Sequence, residues 1–182
     1  FILLLRQTVQ RKTAELQASY SLLQAVQDNT FQFQGLLSPD GTLLDANRSA
    51  LELIGANKHD LIGKKFWDTP WWCNDPTGQE KLRHCISRCA AGETVRFEAR
   101  HTAADKRIVL VDFSLRPIRH ENGELIYLVP EGHDITALRQ LETSLLQKNS
   151  FLNTLFDSIP FDLWVRNKDR RLVLQNSHYR DH

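Results

Sequence analysis

The chain has 182 residues, 41% of them hydrophobic and 25% charged, which lies inside the range of globular domains. Lys and Arg number 23 against 22 Asp and Glu, and the resulting formal charge of +1 excludes a nucleic-acid binder that works through a basic field. Three cysteines make no disulfide framework and point to a reducing compartment, and no apolar run reaches the ~18 residues that would span a membrane.

There is no Met, position 1 included, so the chain is expected to be part of something longer. Residues 1–30 hold neither Gly nor Pro and read as helix. Ile2, Val9, Leu16 and Leu23 recur at heptad spacing, with Leu5 and Val26 at companion positions and Lys12 and Ser19 interrupting that second row. This spacing predicts a coiled-coil helix that pairs two copies; a helix packed on its own domain is the other reading. Phe1–Leu5 runs into Arg6, Arg11 and Lys12, as the cytoplasmic end of a membrane helix does, or as a greasy helix start would.

From Phe31 the period changes. Phe31, Phe33 and Gly35 alternate with glutamines, Ser38-Pro39-Asp40-Gly41 turns the chain, and Thr42-Leu43-Leu44 returns: a hairpin. Asn47 is expected to cap a short helix, Arg48 to Ile54, closed by Gly55. Helical turns follow around Lys58 to Leu61 and Lys65 to Asp68. Asp75-Pro76 starts a helix that runs to Ala91, ends at Gly92, and buries Leu82, Cys85, Ile86 and Cys89. Three strands come next: Val95, Phe97 and Ala99 mark the first, Arg107 to Ile118 the second, and Glu124 to Pro130 the third, after the Asn122-Gly123 turn.

Helix resumes at Asp134, with Leu138, Leu141, Leu145, Leu152, Leu155 and Ile159 on a heptad pattern broken only at Lys148. The remainder repeats the beginning at an offset of 129: Asp40 matches Asp169, Leu43 matches Leu172, and Asn47 matches Asn176. A second copy of the domain is expected to start near Phe161.

Taken in order, these features resemble a PAS domain. They are Pro39-Asp40-Gly41 ahead of Asn47, Gly63 followed by Phe66-Trp67, Pro117 with Asn122-Gly123, and His133-Asp134-Ile135-Thr136 at the exit. Phe66 to Trp72 and Glu131-Gly132 are similar to a subgroup common in bacterial multidomain sensor histidine kinases. The resemblance implies an α+β fold, a five-stranded antiparallel sheet with short helices on one face, flanked by long coiled-coil helices. It divides the chain into a juxtamembrane-like helix (1–30), a PAS domain (31–136), a signalling helix (137–160) and the start of a second PAS domain (161–182). It further implies a sensory or relay module that works as a homodimer, with Val9, Leu16, Leu23, Leu138, Leu141, Leu145 and Leu152 at the dimer seam and Asp134, Ile135 and Thr136 relaying the signal. The membrane would be reached through a segment upstream of residue 1, on the cytoplasmic side of the inner membrane. No phosphoacceptor helix or ATP-binding glycine cluster is present, so any kinase or other output domain lies outside this chain.

Flavin photochemistry in this family needs a cysteine in an Asn-Cys-Arg-Phe-Leu-Gln setting, whereas Cys73 stands in Trp72-Cys73-Asn74-Asp75. A haem would need a histidine. His84 lies about 200° of arc from both Leu82 and Ile86, at about 100° per residue, and is expected to face solvent; His101, on the inward parity of its strand, is the geometric alternative. Cys85 and Cys89 read as small hydrophobes rather than metal ligands. The cofactor is left unknown. A small apolar pocket without a covalent cofactor is expected between the Leu82–Ile86 face and the sheet, walled by Trp67, Leu82, Ile86, Phe97, Val111, Phe113 and Tyr127. Paired carboxylates such as Asp105 and Asp112 lack a catalytic partner, and Asp134 has a structural role available as a helix cap.

Overall fold

The computed structural model describes residues 10–15, 17–18 and 32–176. Val9, Leu16 and Leu23, the expected N-terminal seam, lie outside the described residues, while residues 10–15 and 17–18 are helical (α1). The chain divides into two compact units, Phe1–Ile135 and Thr136–His182.

In the first unit, β1 (Phe33–Leu37) and β2 (Leu43–Ala46) form the expected hairpin. They are followed by α2 (Arg48–Ile54), α3 (Lys58–Leu61), a 3-10 turn at Phe66–Asp68, and α4 (Pro76–Ala90). Strands β3 (Val95–Thr102), β4 (Ile108–Arg119) and β5 (Leu125–Asp134) complete it. The five strands form one antiparallel sheet in the order β2-β1-β5-β4-β3. The last strand thus enters beside the first, and closing the sheet joins the two ends of the unit.

One face of the sheet is the core. Along β4, Val109, Val111, Phe113 and Leu115 are buried while the residues between them are not, the period of two expected of a half-covered strand. Leu82, Cys85, Ile86 and Cys89 of α4 are likewise buried, and Asp75 caps α4 by accepting from the Gly78 N–H at 3.0 Å. The opposite face carries cross-strand ion pairs, Arg96 with Asp112 and Arg116 with Glu131.

The hairpin is fastened to α2 by one buried amide. Asn47 Oδ1 accepts from the Gln34 N–H (3.0 Å) and the Ala50 N–H (3.1 Å), and its Nδ2 donates to the Gln32 carbonyl (2.8 Å). Across the turn, Lys65 Nζ donates to Asp40 Oδ2 (2.5 Å), the Asp40 carbonyl (3.0 Å) and Thr42 Oγ1 (3.1 Å). The Lys65 hydrogen bond, then those from Ser38 and Thr42, hold the Asp40 carboxyl well below the usual carboxylate range. Gly41 has φ +80°, and a Cβ there would lie 2.7 Å from Trp67 Cζ3, so glycine is required twice over.

Three expectations need correction. Strand β5 does not stop at Pro130 but continues to Asp134, whose register partner is Val111. Helix α5 (Thr136–Ser158) begins at Thr136, two residues later than expected, and Asp134 is the last residue of β5. Tyr127 is 38% exposed because the inward parity of β5 is held by Leu128, Pro130 and Gly132, which places Tyr127 on the outer face.

In the second unit, α5 presents Leu138, Leu141, Leu145 and Leu152 at 53–59% exposure. A two-stranded hairpin follows, β6 (Trp164–Arg166) and β7 (Leu172–Gln175).

Asn47→Ala strips three hydrogen bonds from backbone groups, one buried and two part-buried, and Asn47→Asp keeps the acceptor but not the donor. Removing a cap costs about 1 kcal/mol and each stranded buried group about 1–3 kcal/mol. Melting temperature is expected to fall in the order wild type, Asn47→Asp, Asn47→Ala. Equal melting of all three in calorimetry would show the amide to be dispensable.

Candidate functional site

The residues between α3 and α4 build the centre of the core. Thr69 is fully buried and its Oγ1 donates to the Phe66 carbonyl (2.6 Å), turning the chain so that Trp71 and Trp72 both enter the domain. Trp71 Nε1 donates to the Ala50 carbonyl at 3.0 Å. Trp72 lies edge-on to Phe113 (ring centroids 5.2 Å) and His101 (4.8 Å), and is tilted against Phe97 (6.2 Å). Such aromatic pairs add about 0.5–1.5 kcal/mol each beyond area burial. Trp72 is 1% exposed, so an indole occupies the core beside Phe97, His101 and Phe113.

A cavity of about 40 Å³ remains elsewhere, beside β1 and β5. It is lined by Phe33, Gln34, Gly35, Leu43, Ala46, Ala50, Leu53, Phe66, Trp71, His101, Val111, Phe113, Pro130, Glu131 and Gly132. Of the expected walls only Val111 and Phe113 line it. Leu82 and Ile86 are buried on α4; Phe97 is half-buried, with Lys81 Nζ 4.2 Å from its ring centroid. Trp67 is also half-buried, held between Lys65 and Arg83, each 5.6 Å from its ring.

The cavity has a cause in the strand pairing. The β1–β5 register passes from Gln34 opposite Glu131 to Leu37 opposite Leu128, leaving the ladder open between them. Pro130 has no N–H to donate, and a Cβ on Gly35 would lie 3.0 Å from Pro130 Cγ. Gly132 is equally tight, since a Cβ there would lie 2.7 Å from Val111 Cγ1. Glycine inside a strand marks close approach, so Gly35, Pro130 and Gly132 are the sequence signal that would have located this site.

His101 is the buried polar side chain among the lining residues. His101, 4% exposed, donates from Nδ1 to the Trp71 carbonyl at 2.7 Å, which leaves Nε2 as the unprotonated nitrogen. Burial pushes the imidazole below its ordinary value, against the opposing effects of the Trp71 hydrogen bond and of Asp75. Trp72 Nε1 is buried without a hydrogen-bond partner, a deficit of about 1–3 kcal/mol.

A haem or flavin does not fit 40 Å³, a volume close to that of a single water, without repacking the aromatic cluster. No cysteine lines the cavity, and His84 stands exposed on α4 in the phase expected from sequence. Cys85 and Cys89 are buried on the core face of α4; burial raises both thiols, Cys89 to about 11, away from the reactive thiolate range. Among the described residues no three His, Cys, Asp or Glu side chains gather as a metal site would require.

The buried imidazole gives a pH dependence with a definite sign. Its folded value lies below the unfolded one, so its contribution is complete above about pH 6.5 and is lost as pH falls through the depressed value, where the unfolded chain binds the extra proton. Urea denaturation at about pH 7.5 and about pH 5 should show wild type losing more stability on acidification than His101→Gln. The same loss in both proteins would remove His101 as the cause.

Residues 23–140 match the PAS-fold family. Over 134 residues, 72% of this chain, the sequence is 33% identical to hybrid signal transduction histidine kinase D of Dictyostelium discoideum. Over 152 residues, 82% of this chain, it is 31% identical to the sensor histidine kinase TmoS of Ectopseudomonas mendocina. The matched regions span only 9% and 16% of those proteins. The PAS domain of an HTR-like protein from Haloarcula marismortui superposes with a TM-score of 0.56 at 22% identity, covering 69% of this chain and 99% of that one. Five antiparallel strands in the observed order, helices on one face and the family match over most of the chain lead to one conclusion: the chain belongs to the PAS family.

Proposed function

We propose that this chain is the sensory and relay module of a sensor histidine kinase, a parallel homodimer that passes its signal through helices to an output domain outside residues 1–182. The observation that carries this reading is the junction between sheet and helix. Strand β5 ends at Asp134, α5 begins at Thr136, and the N–H of the single residue between them, Ile135, donates to the Leu110 carbonyl of β4 at 2.9 Å. A displacement of β4 reaches the first turn of α5 through one tethered residue, with no loop to absorb it. Asp134, Ile135 and Thr136 are therefore the relay segment.

The exposed leucines of α5 supply the dimer seam. Burying a leucine side chain fully is worth about 1.5–3 kcal/mol, and Leu138, Leu141, Leu145 and Leu152 are all more than half exposed in one chain. Val9, Leu16 and Leu23 would continue the seam on the N-terminal side. No helix among the described residues is long and apolar enough to cross a membrane. The stub at Phe1–Leu5 followed by Arg6, Arg11 and Lys12 supports attachment through a segment upstream of residue 1, at the cytoplasmic side of the inner membrane.

The small cavity favours a second reading, a ligand-free dimerisation and relay unit. An absorption spectrum of the purified protein, with mass spectrometry of its denatured extract, separates the two: a stoichiometric small molecule in the extract supports sensing, and an empty extract supports the relay unit.

Leu145→Glu combined with Leu152→Glu is expected to convert a dimer into a monomer in light scattering. A wild-type monomer at high micromolar concentration would overturn the seam. Ile135→Pro removes the donor to Leu110, whereas Ile135→Ala keeps it. A lost hydrogen bond of about 1 kcal/mol shifts a two-state bias about fivefold. The proline variant is expected to alter basal output of the intact receptor, with the domain still folded, and to do so more than the alanine variant. An unchanged stimulus response in both would remove the relay role.

A further inference from the structure

The hairpin of the second unit repeats the opening hairpin of the first bond for bond at an offset of 129. The register Gly35–Ala46, Leu36–Asp45, Leu37–Leu43, with its irregularity after Leu36, reappears as Trp164–Gln175, Val165–Leu174, Arg166–Leu172, with its irregularity after Val165. Asn176 is fully buried like Asn47. Its Oδ1 accepts from the Leu163 N–H at 3.0 Å, as Asn47 accepts from Gln34, and its Nδ2 donates to the Phe161 carbonyl at 2.8 Å, as Asn47 donates to Gln32. The turns agree as well. Asn167 N–H donates to the Arg171 carbonyl at 2.9 Å where Ser38 donates to Thr42, and Arg170 adopts φ +64° at the place of Gly41.

The surroundings of the two hairpins differ. In the first unit the free edge of β1 is taken by β5, and Leu43 is fully buried. In the second, β6 and β7 form a two-stranded sheet, and Leu172, the counterpart of Leu43, is 49% exposed. Trp164 is 51% exposed. A lone hairpin with an open apolar edge is marginal in water, yet this one carries the same hairpin register and the same pair of amide hydrogen bonds to the preceding segment as β1 and β2.

We propose that residues 161–176 are the opening hairpin of a second domain of the same fold. Its later strands occupy the edge of β6 as β5 occupies that of β1, so that α5 connects two such domains in series. The second domain is not a duplicate in its interior. Trp164 stands where Gly35 flanks the cavity, and an indole at that position fills a site that the first domain keeps free even of a Cβ. The inference is independent of dimerisation, and the light-scattering result leaves it untouched.

The test compares the 182-residue chain with the same chain continued through its own downstream coding sequence. Trp164 fluorescence, identified by difference against Trp164→Phe, should be readily quenched by acrylamide in the first protein and protected in the second. The amides of Trp164–Arg166 should exchange about tenfold or more slowly once the chain is continued, and a second cooperative melting transition should appear. A coding sequence that stops at His182, a continued chain without a second transition, or unchanged quenching and exchange would each overturn the proposal.

Discussion

The sheet depends on a buried amide at the end of the first hairpin. Asn47 serves backbone groups of two separate segments with both ends of its side chain, at β1 and at the start of α2. It thereby fixes the position of β1 against the start of α2. Strand β5 pairs with the other edge of β1, and β4 and β3 continue the sheet beyond it through adjacent antiparallel ladders. An amide is suited to this task because it donates and accepts at once from two separate atoms; a carboxylate in the same place only accepts and leaves the Gln32 carbonyl unserved.

The core shows how a domain of this size trades a binding cavity for aromatic volume. Trp72 contacts Phe66, Phe97, Phe113 and His101, and its indole is buried among them. What stays open is the gap where Pro130 interrupts the ladder with β1. An unpaired Trp72 Nε1 inside an otherwise satisfied core is a strain of polar rather than steric kind. Recognition and packing compete for the same side chains, and here packing holds most of the volume.

Much of this was legible in the sequence. Asn47, Gly55, Asp75-Pro76 and Asn122-Gly123 act through local backbone geometry, so the elements they delimit stand where their residues place them. Proline is ordinarily confined to strand edges; here Pro130 lies in a break of one ladder while the other, to Leu115, continues, and β5 runs on to Asp134. The alternation of Glu124 to Pro130 does not fix which parity faces the core, and Leu128 and Pro130 take the inward side rather than Tyr127. The cavity could not be read from helix phase, since it arises between β1 and β5, which are distant in sequence and meet only in the closed sheet. Gly35 and Gly132 carried the information, as missing side chains rather than present ones.

The tether at Ile135 also has a mechanical side. Helix α5 has 23 residues, and at 1.5 Å per residue it extends about 35 Å from its first turn. In the relay proposed above, a tilt of about 5° at the root of α5 would move its far end by about 3 Å, more than half of a helical turn's 5.4 Å rise. A small adjustment at the Ile135–Leu110 hydrogen bond would then be amplified by leverage alone.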